Sequence, residues 1–500
     1  MTPARPAPDL PSHGPVGPLP AGQGRDDLLA EVTRVLAPID DGTPVVIGCS
    51  GGPDSTALLH LVVEARPDLA VLVVVVRHGF RDDTADVDNV RRHATWAGVP
   101  CDVIDVEVVR TGKGLEAAAR DARYMALRQA ARRHGGKILL VGHTADDQAE
   151  TVLLRAVRGT GVDGLAAMRV VTGDVWRPML RIRRVDVHRF VHFEGLPITR
   201  DPMNDDPAYR RSVVRNEVLA ELDKVGDDPV GALGRLADLA AADADVLEGL
   251  ADEAYAKLAG KVGDVVVLPA AATMALADGI ARRVVRAAIS AVTGAVPDAA
   301  DVTRALALPV HSAVSLAGSI DVARSEKWLT VAPRLAAHQP PASLTIPGAA
   351  VWRPARVTIQ AITADSDPWH VATNEQGHVP GQVALALPDA WHPPGISDDV
   401  REPPAGGHAS RMVIALPALD MPLVVRRREA GDRMLTAGGT RSLQDVMVDA
   451  GIPRAIRDIW PVVASDETVV WIPGIAADAT VVREGRRNPM SQLRVTRSGV

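Results

Sequence analysis

Aromatic side chains make up only 3% of this 500-residue chain, so a surface that stacks unpaired nucleobases has to rest on a few rings or on arginine planes. Cysteine is scarcer still. Cys49 and Cys101 are the two in the chain; they cannot build a disulfide framework or a structural zinc site, and they fit a reducing compartment in which thiols pack. The longest apolar run near the start, Ala70 to Val76, is far too short to cross a bilayer. Met1 to Gly24 holds seven prolines and no apolar stretch of the signal-peptide kind, so it reads as a disordered leader, and the expected location is cytoplasmic with no membrane partner. Excess positive charge is missing as well. A formal net charge of -7 excludes a diffuse electrostatic grip on polyanions and leaves only local, asymmetric surfaces for nucleic acid.

Such asymmetry exists. From Arg155 to Arg215 there are twelve Arg against seven Asp plus Glu, and from Arg411 to Val500 thirteen Arg against ten acids; the plain alternative for either stretch is a solvated helix face. With 47% hydrophobic and 23% charged residues, the composition is that of an ordinary globular protein of roughly three domains. After a short helix around Asp26 to Leu36, strand-like and helix-like segments alternate: strands at Pro44 to Cys49, Ala70 to Val76, Cys101 to Val106 and Lys137 to Val141, helices at Ser55 to Glu64, Asp86 to Ala97, Leu115 to His134 and Asp146 to Arg158. Repeats of this length predict a parallel sheet covered on both faces. Beyond Arg215 the Ala-, Leu- and Asp-rich sequence predicts an all-helical middle domain, with Leu219 to Ala259 a long helix or helix pair and Ile280 to Val292 another. The expected organisation is a leader at 1–25, a catalytic α/β domain at 26–218, a helical domain at 219–335, a proline-rich linker segment at 336–410 and a small C-terminal α/β domain at 411–500.

Ser50-Gly51-Gly52-Pro53-Asp54-Ser55 lies between a hydrophobic strand and an amphipathic helix, the context in which a Gly-rich turn acquires chemical meaning. Gly51 and Gly52 let the backbone approach an anion, Ser50 and Ser55 offer hydroxyls, and the helix presents unsatisfied N–H groups and the positive end of its dipole. Asp54 repels phosphate, so it is expected to act through Mg²⁺ or by fixing the turn. No Walker-type Gly-Lys-Ser/Thr ending occurs. A formal dinucleotide fingerprint at Gly159-Thr160-Gly161-Val162-Asp163-Gly164 follows a helix with no strand leading into it, and is read as a loop. The loop at Ser50 to Ser55 resembles the PP-loop of ATP pyrophosphatases, which cleave ATP between its α- and β-phosphates and attach AMP to a substrate oxygen.

Gly142-His143-Thr144-Ala145-Asp146-Asp147-Gln148-Ala149-Glu150-Thr151 starts at a strand end, which puts a histidine and three carboxylates at the carboxyl edge of the sheet, where ligands of open α/β sheets bind. Asp146 and Asp147 suit Mg²⁺ or a cationic amine; acids at a helix start are also simple dipole complements. Continued through Arg155 to Gly161, this run resembles the His-x-x-Asp-Asp-Gln-x-Glu-Thr and Arg-Gly-Ser/Thr-Gly signature of the tRNA(Ile)-lysidine synthases. Leu115 to Tyr124, Arg177-Pro178-Met179-Leu180, and Asp201-Pro202-x-Asn204 with Tyr209-x-Arg211 and Val214-Arg215-Asn216 agree in order and spacing. A further match, Gly431-Asp432-Arg433 through Trp471-x-Pro473-Gly474, is similar to that family's C-terminal tRNA-binding domain. Two departures stand out: Arg77-His78-Gly79-Phe80-Arg81 where a His-His-Gly-Leu-Arg run is usual, and Gln444-Asp445 in place of a Lys pair.

The resemblance implies a nucleotide alpha hydrolase-like fold with ATP and Mg²⁺ as cofactors. It implies transfer of L-lysine to C2 of the wobble cytidine of a tRNA(Ile) with a CAU anticodon. Asp54, His143, Asp146, Asp147 and Glu150 are then the expected catalytic groups, with Asp54 and Asp147 toward the metal. Ser50 to Ser55 with Arg120 and Arg123 would hold ATP or an anionic group, and Arg81, Glu116, Arg155, Arg211 and Arg215 would contact substrate. Free lysine and the tRNA are the expected partners, with a second copy of the chain as a candidate for a homodimer. Competing readings are a PP-loop tRNA thiolase, for which the chain has too few cysteines, an amide-forming ligase of the GMP or NAD synthetase kind, and a catalytically silent tRNA-binding relative.

Overall fold

The computed structural model describes residues 24–79, 83–108, 115–199, 210–334, 340–344, 348–352, 357–363, 413–416, 422–436, 438–465, 468–473, 475–487 and 491–497. The chain divides into two compact units, Met1–Val246 and Leu247–Val500.

In the first unit, α1 (Arg25–Leu36) buries Leu28, Val32, Val35 and Leu36, a spacing of three to four that makes one apolar face, and Asp27 accepts a hydrogen bond from the Gly24 N–H at 3.1 Å to start the helix. The alternation follows as expected, each element within two residues of its predicted ends: β1 (Pro44–Gly48), α2 (Pro53–Ala65), β2 (Ala70–Arg77), α3 (Thr84–Trp96), β3 (Cys101–Asp105), α4 (Leu115–Arg133), β4 (Ile138–Leu140) and α5 (Ala145–Val157). After the short α6 (Val162–Leu165), a hairpin of β5 (Val171–Thr172) and β6 (Val175–Trp176) extends the sheet, giving the order β3-β2-β1-β4-β6-β5. All neighbours are parallel except β5, whose pairing with β6 is antiparallel.

Side chains alternate across β1, and the two faces are covered by different helices. Val45 and Ile47 join Leu28, Leu58, Val90 and Phe190 in one core, while Val46 packs with Leu72, Leu139, Leu127 and Ala130 in the other. Burial on both faces is why these strands read as continuous Val/Ile/Leu runs. The chain leaves β1 toward β2 on one side and returns to β4 on the other, so a crevice opens beyond the carboxyl ends of β1 and β4. Downstream, α7 (Arg184–Phe193), α8 (Arg210–Val213), a π-helical turn (Val214–Val218) and α9 (Leu219–Leu222) lead to the long α10 (Pro229–Leu258).

The expectation of an all-helical middle domain is corrected. Helices Asp278–Thr293 and Ala299–Leu306 are present, but residues 260–333 also contribute a five-stranded antiparallel sheet, Gly260–Val262, Val265–Pro269, Trp328–Pro333, Ile320–Arg324 and Ser312–Leu316 in spatial order. Its inner residues Val266, Leu268, Val322 and Val331 pack on Val284, Val285 and Ile289 of the helix. The linker expected at 336–410 is corrected in part: Ala342–Leu344, Gly348–Trp352 and Val357–Thr363 are strands of the C-terminal sheets, and Trp352 is fully buried with its indole N–H donating to the Ile459 carbonyl at 2.7 Å. The proline-rich leader and residues 364–412 lie outside the described residues. Among the described residues no helix is long and apolar enough to cross a membrane.

The C-terminal match falls on the frame of this second unit. Asp432 takes a two-armed pair from Arg426 at 2.9 and 2.8 Å, Trp460 donates to the Pro473 carbonyl at 3.0 Å, and Ile452, Ile456 and Trp471 are core residues. At the departure from the usual Lys pair, Gln444 accepts from Arg428 at 3.1 Å, and the Asp445 N–H donates to Ser442 at 3.1 Å as a helix cap.

Candidate active site

The turn after β1 is stapled by one hydroxyl. Ser55 Oγ accepts from the Ser50 N–H at 3.1 Å, donates to the Gly52 carbonyl at 3.1 Å and lies 3.3 Å from Ser50 Oγ. Gly51 has φ of +79°, which favours glycine, and its carbonyl accepts from the Thr199 N–H at 2.9 Å. Pro53 takes the first helical position, where a missing N–H costs nothing, and the N-terminus of α2 points into the crevice. A second glycine brings β4 against this turn: a Cβ on Gly142 would stand 2.9 Å from the Asp54 carbonyl oxygen and 3.2 Å from the Ser55 nitrogen.

Asp54 lies beside Arg184 and His188 without a hydrogen bond to either. Its Oδ2 is 3.8 Å from Arg184 Nε and its Oδ1 is 3.6 Å from His188 Nε2, yet Oδ1 is buried with no hydrogen-bond partner. A buried carboxylate oxygen without a donor is costly unless something else fills it. Among the described residues no three His, Cys, Asp or Glu side chains converge as a metal cage. Mg²⁺ is bound by one or two carboxylates together with substrate phosphates, so a single unengaged Asp54 oxygen beside a phosphate-binding turn fits it.

The other expected acids are engaged. Thr144 caps α5: its N–H and hydroxyl both donate to Asp147 Oδ2, at 2.8 and 2.9 Å. Asp147 Oδ1 takes Arg184 at 2.8 Å and Arg211 at 3.1 Å. Glu150, fully buried, receives Arg184 at 3.0 Å, Arg211 at 2.6 Å and Arg215 at 2.7 and 3.2 Å. Asp146 Oδ2 accepts the backbone N–H of Arg184 at 2.7 Å, capping α7 from another helix. Burial alone would raise the pKa of both Asp147 and Glu150. The neighbouring guanidiniums overturn that, chiefly Arg184 and Arg211 for Asp147 and Arg215 for Glu150, and hold both carboxyls below the usual range. Both oxygens of Asp147, expected toward the metal, are engaged by Thr144, Arg184 and Arg211, whereas Asp54 keeps an oxygen without a partner. Glu150 and Asp147 stand as weak bases locked in an ion-pair network.

Of the five expected catalytic residues, His143 is the other one with a buried polar atom left unpaired. Its Nδ1 is buried without a hydrogen-bond partner. Burial pushes the imidazole down to about 3, Asp147 partly opposing and Arg120, Arg177 and Arg211 reinforcing. It is therefore neutral at physiological pH. The sign of the linkage is fixed: between the unfolded value near 6.5 and the folded value near 3, the unfolded chain binds the proton that the folded chain refuses. Stability should thus fall as pH drops below about 6.5, a window shared with His60 and His93, whose pKa values burial also lowers. His143→Gln is expected to reduce the loss of urea-unfolding stability between about pH 7 and pH 5, and an unchanged loss would contradict the assignment.

Arg120 and Arg123 lie on the exposed face of the first turns of α4, at the same sheet edge. Arg120 sits over the Tyr124 ring, 5.1 Å from its centroid, and Arg123 approaches His78 at 3.5 Å. Arg155, expected to contact substrate, donates to the carbonyls of Gly164 and Ala167, both at 3.1 Å, and braces the loop that mimics a dinucleotide fingerprint. Arg211 and Arg215, expected to meet substrate, are spent on Asp147 and Glu150. Arg81 and the Glu116 side chain lie outside the described residues, as do Asp201 to Tyr209.

Sequence reading missed Arg184, which touches Asp147 and Glu150 and stands beside Asp54, because nothing in its local pattern separates it from Arg181 and Arg183. It also left Arg177 without a role. That residue is buried and donates to the Arg169 carbonyl at 2.8 Å, and its Nε has no partner.

A parallel sheet whose central strand feeds a Ser-Gly-Gly turn onto a helix start, with a carboxylate held open beside it, defines a PP-loop nucleotide-binding domain; the family model described as PP-loop domain matches residues 26–222. The model of the TilS substrate C-terminal domain matches residues 423–493. A tRNA(Ile)-lysidine synthase of Symbiobacterium thermophilum is 31% identical over 469 residues, covering 88% of this chain and 91% of that protein. Another from Xanthomonas axonopodis pv. citri is 31% identical over 445 residues, covering 85% and 88%. One from Thermobifida fusca is 43% identical over 228 residues, covering 45% and 70%. The chain belongs to the tRNA(Ile)-lysidine synthase family.

Proposed function

We propose that the protein joins L-lysine to C2 of the wobble cytidine in a CAU-anticodon tRNA(Ile), consuming ATP and releasing AMP and diphosphate. The observation that carries the reading is the buried, donor-free Asp54 oxygen beside a phosphate-binding turn, in a chain collinear with lysidine synthases over most of its length. The cytidine C2 oxygen is a poor leaving group. Its attack on the α-phosphorus of ATP breaks the α–β bond, expels diphosphate and leaves C2 bonded to adenylate oxygen. The ε-nitrogen of lysine then attacks C2, the C2–O bond breaks, AMP departs with that oxygen, and a proton leaves the nitrogen.

Each residue of the crevice has a part in that sequence. The turn at Ser50 to Ser55 and the start of α2 hold the phosphates. Asp54 would hold Mg²⁺, which when bound supplies charge neutralisation at the phosphates. Arg120, Arg123 and Arg177 supply positive charge for the expelled diphosphate or the carboxylate of lysine. The amine of lysine, with reference pKa about 10.4, arrives protonated; neutral His143 has the unengaged nitrogen among the expected acid–base groups. Asp146, Asp147 and Glu150 act by fixing α5, α7 and Arg184.

Two competing readings lose support here. Burial raises the pKa of both Cys49 and Cys101, the opposite of what a sulfur-carrying thiol needs, which disfavours a thiolase. An amide ligase has no use for a C-terminal domain of the lysidine-synthase type. The direct test is incubation with ATP, Mg²⁺, labelled lysine and a CAU-anticodon transcript, reading label in RNA and diphosphate release. Label absent while diphosphate accumulates would remove lysine as the nucleophile, and neither signal would support the silent relative. Gly142→Ala probes the loop itself. The added methyl collides with backbone, which cannot rotate away, so the dissociation constant for ATP should rise about tenfold or more; an unchanged constant in a binding titration would uncouple β4 from the loop.

A further inference from the structure

The phosphate-binding turn is buttressed from the side by a chain of hydrogen bonds that begins well away from the crevice. Gly51 is wedged: a Cβ there would stand 2.8 Å from Thr199 Oγ1, 3.4 Å from the Asp86 carbonyl and 3.5 Å from Val90. Its carbonyl is pinned by the Thr199 N–H at 2.9 Å. Two residues earlier, the Pro197 carbonyl accepts from Asn89 Nδ2 at 2.9 Å and from His93 Nε2 at 2.7 Å, both on α3 and both buried. The last link is His60 of α2, whose Nε2 lies 3.0 Å from His93 Nδ1.

The donors in this chain follow from its end. A carbonyl only accepts, so His93 Nε2 carries the hydrogen toward Pro197, and in the neutral ring Nδ1 is the acceptor. His60 Nε2 must then carry a hydrogen. The tautomers of both rings are set by one backbone oxygen. A fully buried histidine and a nearly buried asparagine that converge on one carbonyl are expensive to desolvate and are satisfied only together. Asn89 and His93 lie outside the short motifs quoted for the family resemblance, although within the matched PP-loop domain, and their contacts run to the crevice turn through Pro197 and Thr199.

We propose that Asn89 and His93 are positioning residues for the phosphate-binding turn, acting through Pro197 and Thr199 on Gly51. The inference rests on the reading that this turn holds the phosphates of ATP. Without the two α3 donors, segment Leu196 to Thr199 loses its anchor and the Gly51 carbonyl its fixed donor. The turn's N–H groups then scatter, and binding of ATP weakens while the sites for lysine and tRNA stay as they were.

The test uses the full chain and three measurements: the dissociation constant for ATP by titration, KM for each of ATP, lysine and tRNA, and thermal stability. His93→Ala and Asn89→Ala should each weaken ATP binding about tenfold, because each removes one of the two donors that fix the Pro197 carbonyl, with KM for lysine and tRNA roughly unchanged. His93→Gln, whose amide can still donate to the Pro197 carbonyl, should recover most of the loss. ATP affinity unaltered in both alanine variants overturns the proposal, as does an equal rise of all three KM values, which would make the chain a fold support only. Gly51→Ala is the control: if it leaves ATP affinity intact, the phosphate reading of the turn fails and takes the proposal with it. If Gly51→Ala weakens ATP binding and the α3 variants do not, only the positioning role fails.

Discussion

Asp54→Ala should lower lysine incorporation and diphosphate release by about a hundredfold or more while leaving tRNA affinity roughly unchanged. The size follows from where the carboxylate stands. Among the described residues it is the carboxylate with a buried, donor-free oxygen, and the turn that precedes it has no lysine to counter the triphosphate's charge. Removing it takes away the group suited to Mg²⁺ in the low-dielectric space where charge develops on the α-phosphate, so the loss should fall mainly on turnover. Asp54→Asn separates charge from shape. It keeps the side chain's volume beside Arg184 and His188 and should be nearly as inactive. A loss of tRNA affinity equal to the loss of turnover would move Asp54 out of the chemistry and into RNA binding.

Glu150→Ala should destabilise the first unit by about 3–5 kcal/mol and lower its melting temperature by roughly 10 °C. Four of the hydrogen bonds around α5 end on this fully buried carboxylate, drawn from Arg184, Arg211 and Arg215. Truncation leaves three guanidiniums facing Asp147 alone, and an uncompensated buried charge costs far more than the pair was worth. Glu150→Gln retains an acceptor and the volume, so it should recover part of the stability. A melting curve for Glu150→Ala that overlays the parent's would show that the network is a bystander. Because the carboxyls of Asp147 and Glu150 are held low, their contribution is present above the ordinary carboxylate range and disappears as pH falls through their folded values, adding to the acid lability that His143 introduces earlier.

The α/β domain was legible because each of its signals is local. Buried parallel strands are written as runs such as Val45 to Ile47 and Val71 to Val75, and the glycines at 51 and 52 announce the turn. Roles within the crevice were less so, since they depend on partners far along the chain: Glu150 meets arginines 34, 61 and 65 residues away. Acidic residues at a helix start look alike whether they face solvent, metal or guanidinium. The middle sheet was hidden for a different reason. Val265–Pro269 and Trp328–Pro333 carry branched and aromatic residues but lie far apart among Ala-rich helical sequence, and in Ser312–Leu316 polar or small residues sit where a strand would announce itself. Pro340 and Pro341 made the segment at 336–410 look like a linker, although they precede the strand Ala342–Leu344 and do not interrupt it.

One helix of the crevice cannot begin on its own terms. The residue before α7 is an arginine that makes no side-chain cap, and the cap comes from Asp146, 38 positions upstream. A ten-residue helix is too brief to persist alone in water. The fragment 184–193 excised as a peptide should therefore be unordered, and during folding Arg184 can enter its ion-pair network only after the sheet edge and the start of α5 have come together.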